Sequence, residues 1–324
     1  MKISLDIDAL IADGTVPREL GEVLRARGKP AAGGTVAISV LLIFGAIAVA
    51  GGVLAYDPSA TVGLLLAATA LGAGFTVQNM LGAPWRLLAH GLAIMGGLGL
   101  AGWVGAEFHD HESAFWPPVA ITLIFGAIAA AFRNTFLAVM ATLSLGAVIG
   151  SGTGYWHASY MLVVRESFIT IALFGALAAG AYALRDRIRD AWQGLSTAVA
   201  RTAVIMVNFG FWVGSLWGDH IGEHWYAGDS WQAAADWRES ALYLPEAVFS
   251  IGWAAALFAL ILKAPRGGFL SVSSIVFLGI HFYTQIFETL GAEPFTMILG
   301  GVLAVAIAVY LSRRAFLTSG ASAA

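Results

Sequence analysis

The amino-acid sequence predicts an all-α, polytopic transmembrane helical bundle of about ten spans, with both termini in the cytoplasm and a small N-terminal cytoplasmic helical hairpin. Three observations predict it. First, 59 % of the 324 residues are apolar and only 11 % are charged, with a mean hydropathy of +0.79, whereas a soluble domain carries about 25 % charged residues. Second, the apolar residues recur as long stretches, each near the roughly 20 residues a helix needs to cross hydrocarbon. Third, the basic residues collect in every second break between those stretches, as short cytoplasmic loops do.

The first 33 residues are polar and mixed in charge. Leu5, Ile7, Leu10 and Ile11 pattern a short amphipathic turn that stops at Asp13-Gly14; Pro17 opens a second helix through Leu20, Val23 and Leu24, and Gly28 ends it. A helix pair of this size is marginal alone, so it is expected to lean on the membrane or on a cytoplasmic or membrane protein partner. The opening lacks the basic-then-apolar pattern of a cleaved leader, and the first span is expected to direct insertion. Spans are expected near residues 34 to 55, 60 to 80, 86 to 106, 115 to 132, 134 to 151, 160 to 184, 201 to 217, 243 to 262, 269 to 288 and 295 to 312. The fourth and fifth are short and joined only by Arg133-Asn134, so they also read as one broken re-entrant element; Pro117-Pro118 suits the fourth helix's first turn. The chain thus divides into a hairpin (1–33), a bundle (34–314) and a disordered cytoplasmic tail (315–324).

Arg86, Arg133, Arg185, Arg187, Arg189, Arg201, Lys263, Arg266, Arg313 and Arg314 share one side of this arrangement with Lys2, Arg18, Arg25, Arg27 and Lys29 of the N-terminal segment, and only Arg165 and Arg238 fall on the other. That bias makes the shared side cytoplasmic and points to a multi-pass protein of the bacterial inner membrane. The histidines lie in the opposite half, His90 excepted, and so do most carboxylates beyond residue 33. The absence of cysteine removes disulfides, thiolate metal sites and thiol nucleophiles. Scattered basic residues and a net charge of −3 leave no footprint for nucleic acid. A short internal echo, LIFGAIAVA at Leu42 and LIFGAIAAA at Leu123, falls in oppositely directed spans, as in inverted-repeat transporters, but nothing flanking extends it.

The opening LDIDALIADGTVPRELGEVLRARG (residues 5–28) resembles the helical hairpin that begins the bacterial domain-of-unknown-function 2157 membrane proteins. The closing IHFYTQIFETLGAEPFTMILGGVLAVAIAVYLSRR (280–314) is similar to that family's last two spans, with His281 where the family usually has arginine before the aromatic pair. The resemblance is one of layout over most of the chain, and it implies a many-helix bundle with no assigned activity.

Several groups are placed to do chemistry. Ser274, His281, Gln285 and Glu288 share one face of the ninth span, and Asn208, Ser215 and Asp219 share one face of the seventh. Ionisable groups within a span usually point into the bundle or a wet cavity and mark ion or substrate paths; the plainer reading is hydrogen-bonded glue between helices. Arg165 and Glu166 are expected just inside the sixth span, with Glu246 or Glu288 as the acceptor for Arg165. His220-Ile221-Gly222-Glu223-His224 matches the H-x-x-E-H spacing that sets two histidines on one helical face for a divalent metal, with Glu223 beside them and a third ligand from Glu246, Glu288 or the His109-Asp110-His111-Glu112 loop. Gly218 and Gly222 weaken such a helix, and a solvated acidic loop is the alternative. Arg185 to Ala200, with Trp192, reads as a basic interfacial helix on anionic lipid.

These features suit a protein that transports or binds a small ligand or ion through an outward-facing polar pocket of Asn208, Asp219, Glu246, His281, Gln285, Glu288 and Arg165. An accessory or scaffold subunit of a membrane complex, and a metal-dependent membrane enzyme using His220, Glu223, His224, His109 and His111, are the alternatives. The topology is directly testable in this cysteine-free chain: cysteines replacing Ser113 and Ser230 should react with an impermeant thiol reagent in intact cells, and one replacing Ser312 should not. Labelling at Ser312 but not Ser230 would invert the orientation.

Overall fold

Long apolar runs fold as helices because a helix satisfies every backbone N–H and C=O within itself, which hydrocarbon requires. The computed structural model describes residues 7–27, 33–108, 115–156, 159–226, 230–265, 267–291, 293–296, 298–302, 305–306 and 309. They divide into two units, Met1–Asp110 and His111–Ala324.

In the first unit, α1 (Ile7–Ala12) and α2 (Arg18–Arg27) form the hairpin anticipated from the sequence. The chain turns at Gly14 with φ 76°, a left-handed value open to glycine at little cost, and Val16 N–H donates to Leu10 C=O (3.0 Å). Three apolar helices follow, α3 (Gly33–Tyr56), α4 (Ala60–Met80) and α5 (Arg86–Glu107). Ser59 caps α4 by accepting from Val62 N–H (3.3 Å). Ala67, Ala70 and Gly74 of α4 are buried, as are Ala89, Ala93 and Gly96 of α5. A Cβ at Gly96 would stand 2.8 Å from the Ala67 carbonyl oxygen. The two backbones therefore approach over small residues, as helices do where apolar solvent supplies no hydrophobic force between them.

The second unit begins with α6 (Trp116–Phe132) and α7 (Thr135–Val148), joined by Arg133 and Asn134. Asn134 is buried and caps α7 through Leu137 N–H (3.2 Å). An antiparallel hairpin comes next, β1 (Ser151–Trp156) with β2 (Ser159–Val164). The remaining helices are α8 (Ser167–Arg185), α9 (Asp190–Trp217), α10 (Trp231–Ser240), α11 (Glu246–Lys263) and α12 (Phe269–Leu290). Phe174 of α8 packs with Ala203 and Met206 of α9 in one core cluster; Trp253 and Leu257 of α11 meet Phe277 of α12 in another.

Six helices among the described residues are long and apolar enough to cross a membrane: α3, α4, α5, α8, α9 and α11. α6 and α7 are apolar but shorter, at 17 and 14 residues, as is the apolar part of α12, Phe269–Gln285. At 1.5 Å per residue α7 reaches only about 21 Å, less than the ~30 Å hydrocarbon core. The tail 315–324 and much of the span expected near 295 to 312 lie outside the described residues.

Two expectations need correction. The sixth apolar run is not helical from residue 160: residues 159–164 are strand β2, paired from Ser151↔Val164 to Trp156↔Ser159, and the helix starts at Ser167. Short apolar runs rich in valine and tyrosine carry no period that separates a strand from a buried helix. The basic stretch 185–200 is not a separate interfacial helix either. No proline or left-handed residue interrupts Asp190 to Trp217, and these 28 residues form one helix.

Candidate functional site

The polar groups gather where α9 ends and α8 begins. Gly218 leaves α9 with φ 67°, and Asp219–His220 (β3) pairs with Tyr243–Leu244 (β4). Gly222, at φ 98°, then turns the chain into a single 3-10 turn, Glu223–Trp225. Two carboxylates cross between this loop and α8. Glu166, fully buried at the helix start, accepts from Gly222 N–H (2.9 Å) and His224 N–H (2.7 Å). In return Asp219 accepts from Phe168 N–H (2.8 Å), filling the first turn of α8, whose N–H groups have no partner within the helix. Burial pushes the Asp219 carboxyl above its ordinary range; the Phe168 N–H opposes that shift and the neighbouring Glu166 carboxylate adds to it.

Arg165 and Glu166 therefore sit at a strand–helix junction rather than inside a span. Neighbours in extended chain point opposite ways, so Glu166 is buried while Arg165 is exposed. Arg165 makes no ion pair with Glu246, Glu288 or any other described residue. Glu246 is exposed and accepts from the Tyr243 hydroxyl (2.6 Å).

The H-x-x-E-H segment is not helical, which removes the geometry its spacing implied. His220 lies in β3 with its ring 4.6 Å from that of Tyr243. Glu223 pairs with Arg238 of α10. His224 packs over Gly150, where an added Cβ would fall 2.6 Å from Nδ1, and that nitrogen is buried without a partner among the described residues. Among the described residues no three His, Asp or Glu side chains stand together as a metal site; His109 and His111 lie outside the described residues.

Deeper in the same unit, the stripes of α9 and α12 meet α11. Asn208 is buried; it accepts from Trp253 Nε1–H (2.9 Å) and donates to Val204 C=O (2.7 Å). His281 is 7 % exposed, lies 4.8 Å from the Trp253 ring and contacts Ser250 Oγ through Nε2 at 3.4 Å, while its buried Nδ1 has no partner among the described residues. Towards the end of α12, Gln285 donates to Glu288 (3.2 Å) and reaches the Ser215 carbonyl at 3.5 Å. A cleft of about 310 Å³ opens there, lined by Leu216, Trp217, Tyr283, Thr284 and Glu288. The residues expected to line one pocket thus divide. Asn208, His281, Gln285 and Glu288 form a ladder between α9, α11 and α12, whereas Asp219, Glu246, His220 and His224 brace the loop.

Sequence reasoning left out Trp253 and Ser250 as partners and Glu166 as the organising carboxylate. A tryptophan inside an apolar helix was the available signal, because its N–H needs an acceptor. Comparison with known proteins finds no matching family model, no matching curated protein and no matching solved structure.

The crossed carboxylates make two predictions. Glu166→Gln swaps one acceptor for a donor facing a backbone N–H, and should lower stability by about 1–3 kcal/mol; a thermal unfolding midpoint unchanged from wild type would remove Glu166 from its organising role. The second concerns pH. A raised Asp219 pKa means the native state holds the proton more tightly than the unfolded chain, so this contribution is complete below the unfolded pKa and is lost as pH rises through the native one. Relative to wild type, Asp219→Asn should flatten unfolding stability over that window, and parallel pH profiles would contradict it.

Proposed function

We propose that the chain is a ten-span protein of the bacterial inner membrane, with both termini cytoplasmic, that binds a small ion or polar ligand in a pocket open to the non-cytoplasmic side and works as a transporter. The carrying observation is the ladder on α12: Glu288 at an open cleft, Gln285 below it and His281 buried a turn deeper with one ring nitrogen unpartnered. A polar side chain that served only as glue would have its hydrogen bonds met. A carboxyl group at the mouth above an imidazole with a free ring nitrogen suits a proton or another cation. The resemblance in layout to the domain-of-unknown-function 2157 proteins implies a many-helix architecture and no particular chemistry.

A second reading, an accessory subunit docked through the cytoplasmic hairpin, is favoured by one observation: Leu20, Val23 and Leu24 are all exposed along one side of α2. The metal-enzyme reading loses its support with the non-helical His220–His224 segment.

Tryptophan emission tests the ion reading, because Trp217 lines the cleft. Purified protein titrated with protons, Na⁺, K⁺ and Zn²⁺ should give a saturable change for at least one of them, absent in Trp217→Phe. Glu288→Gln and His281→Leu should weaken it about tenfold or more, equivalent to ~1.4 kcal/mol, while both variants remain folded. No saturable response to any of the four would reject the pocket and leave the accessory-subunit reading.

A further inference from the structure

A groove of about 590 Å³ runs between α6, α7, α8 and α9, well away from the α9–α12 cleft. Its lining combines small residues such as Gly126, Ala129 and Ala141 with Leu145, Leu177 and Leu195. The hydroxyls along it are already engaged with backbone carbonyls: Thr122 with Pro118, Thr142 with Ala138, and Ser196 with Ala181. A ligand lying in the groove therefore meets apolar surface only.

The end of the groove is different. One helical turn beyond Ala129, and one turn before Leu195 and Ser196, stand Arg133 and Trp192, with the guanidinium 5.9 Å from the indole centroid. Stacking of this kind orients a guanidinium and leaves its edge donors free. Arg133 is exposed, and neither it nor Arg187 or Arg189 of the α8–α9 turn pairs with a carboxylate among the described residues. Arg133 also holds φ 51°, left-handed for a residue with a Cβ and the one such non-glycine value among the described residues. Glycine would take that conformation without strain, so what Arg133 adds at this position is its cationic side chain.

We propose that this groove and its arginine cap form a binding site for one anionic phospholipid, an acyl chain lying along Gly126, Ala129 and Ala141 and the phosphate resting on Arg133. Charge complementarity selects the occupant. An apolar groove alone accepts any lipid, but Arg133, without a carboxylate partner among the described residues at that end, favours an anionic headgroup. A soluble anion would leave the groove empty and gain only the screened interaction with exposed charge. The site is independent of the proposed cation pocket and of which face of the membrane is cytoplasmic.

Native mass spectrometry of the full chain in detergent tests the proposal, using phosphatidylglycerol and phosphatidylcholine with identical acyl chains, and glycerol 3-phosphate as free headgroup. Phosphatidylglycerol should bind at least about tenfold more tightly than phosphatidylcholine, corresponding to one charge-assisted contact. Arg133→Gly removes the charge and relieves the backbone, so the protein should stay folded and lose that preference. Gly126→Leu should weaken both lipids; a Cβ at Gly126 meets no described residue within 4 Å, so the helices accommodate it. Glycerol 3-phosphate should not displace bound lipid. Equal affinity for the two lipids, a preference retained in Arg133→Gly, affinities unchanged in Gly126→Leu, or displacement by glycerol 3-phosphate would each overturn the site.

Discussion

Glu166 has no exposed surface, and its two oxygens are taken by backbone N–H groups of Gly222 and His224, more than fifty residues along the chain. A carboxylate buried in this way is tolerable only when hydrogen bonds replace the lost water. Asp219 completes the arrangement from the other side by capping α8. Two carboxylates this close repel, and the repulsion is offset by the N–H groups and by the positive end of α8. The result fixes the end of α9 against the start of α8. Ser215, one turn before Asp219, and Asn208, two turns further back, are thereby held facing inward, and both are buried. The polar ladder that reaches His281 depends on that rotation of α9.

Charge and hydropathy made much of the architecture legible, because a backbone in hydrocarbon has few alternatives to a helix. The N-terminal hairpin was legible from Asp13-Gly14 and Pro17, which are turn and helix-start signals in any solvent. The β1–β2 hairpin was not, since its second strand is as apolar as the helix that follows it. The His220–His224 segment misled for a related reason: a spacing of four implies a shared face only if the segment is helical. Gly218 and Gly222, both left-handed in the structure, were the local evidence against it. Partners far apart in sequence could not be read at all. Trp253 and Asn208, 45 residues apart, are each unremarkable polar groups until α11 packs on α9.

Glycine serves two opposite ends in this chain. At Gly96 and Gly210 an added Cβ would meet a neighbouring backbone oxygen at 2.8 and 3.1 Å, so the missing side chain is filled by another helix and brings two elements into close contact. At Gly126 the same omission is filled by no described residue of the chain. A space too small for water would cost its lining the dispersion contacts of close packing, but this groove is large enough to be occupied. In an apolar solvent the bilayer itself supplies an occupant. Small residues can thus join helices at one point and admit lipid at another, and the sequence alone does not distinguish the two uses.

Hydrogen-bond accounting separates the polar groups within the helices in a similar way. Asn208 accepts from Trp253 through its carbonyl, which joins α9 to α11 as interhelical glue, and spends its amide on Val204 within α9. His281 lies against the same Trp253 ring but keeps a buried nitrogen without a partner among the described residues. A group whose only purpose was packing would be replaced at lower energetic cost by an apolar side chain of similar size, since an unsatisfied buried donor or acceptor is destabilising. The two residues sit in one cluster, so burial alone does not tell them apart; the difference lies in what remains unbonded. On that criterion Asn208 is part of the frame, and His281 is the group in the ladder with capacity left for a ligand.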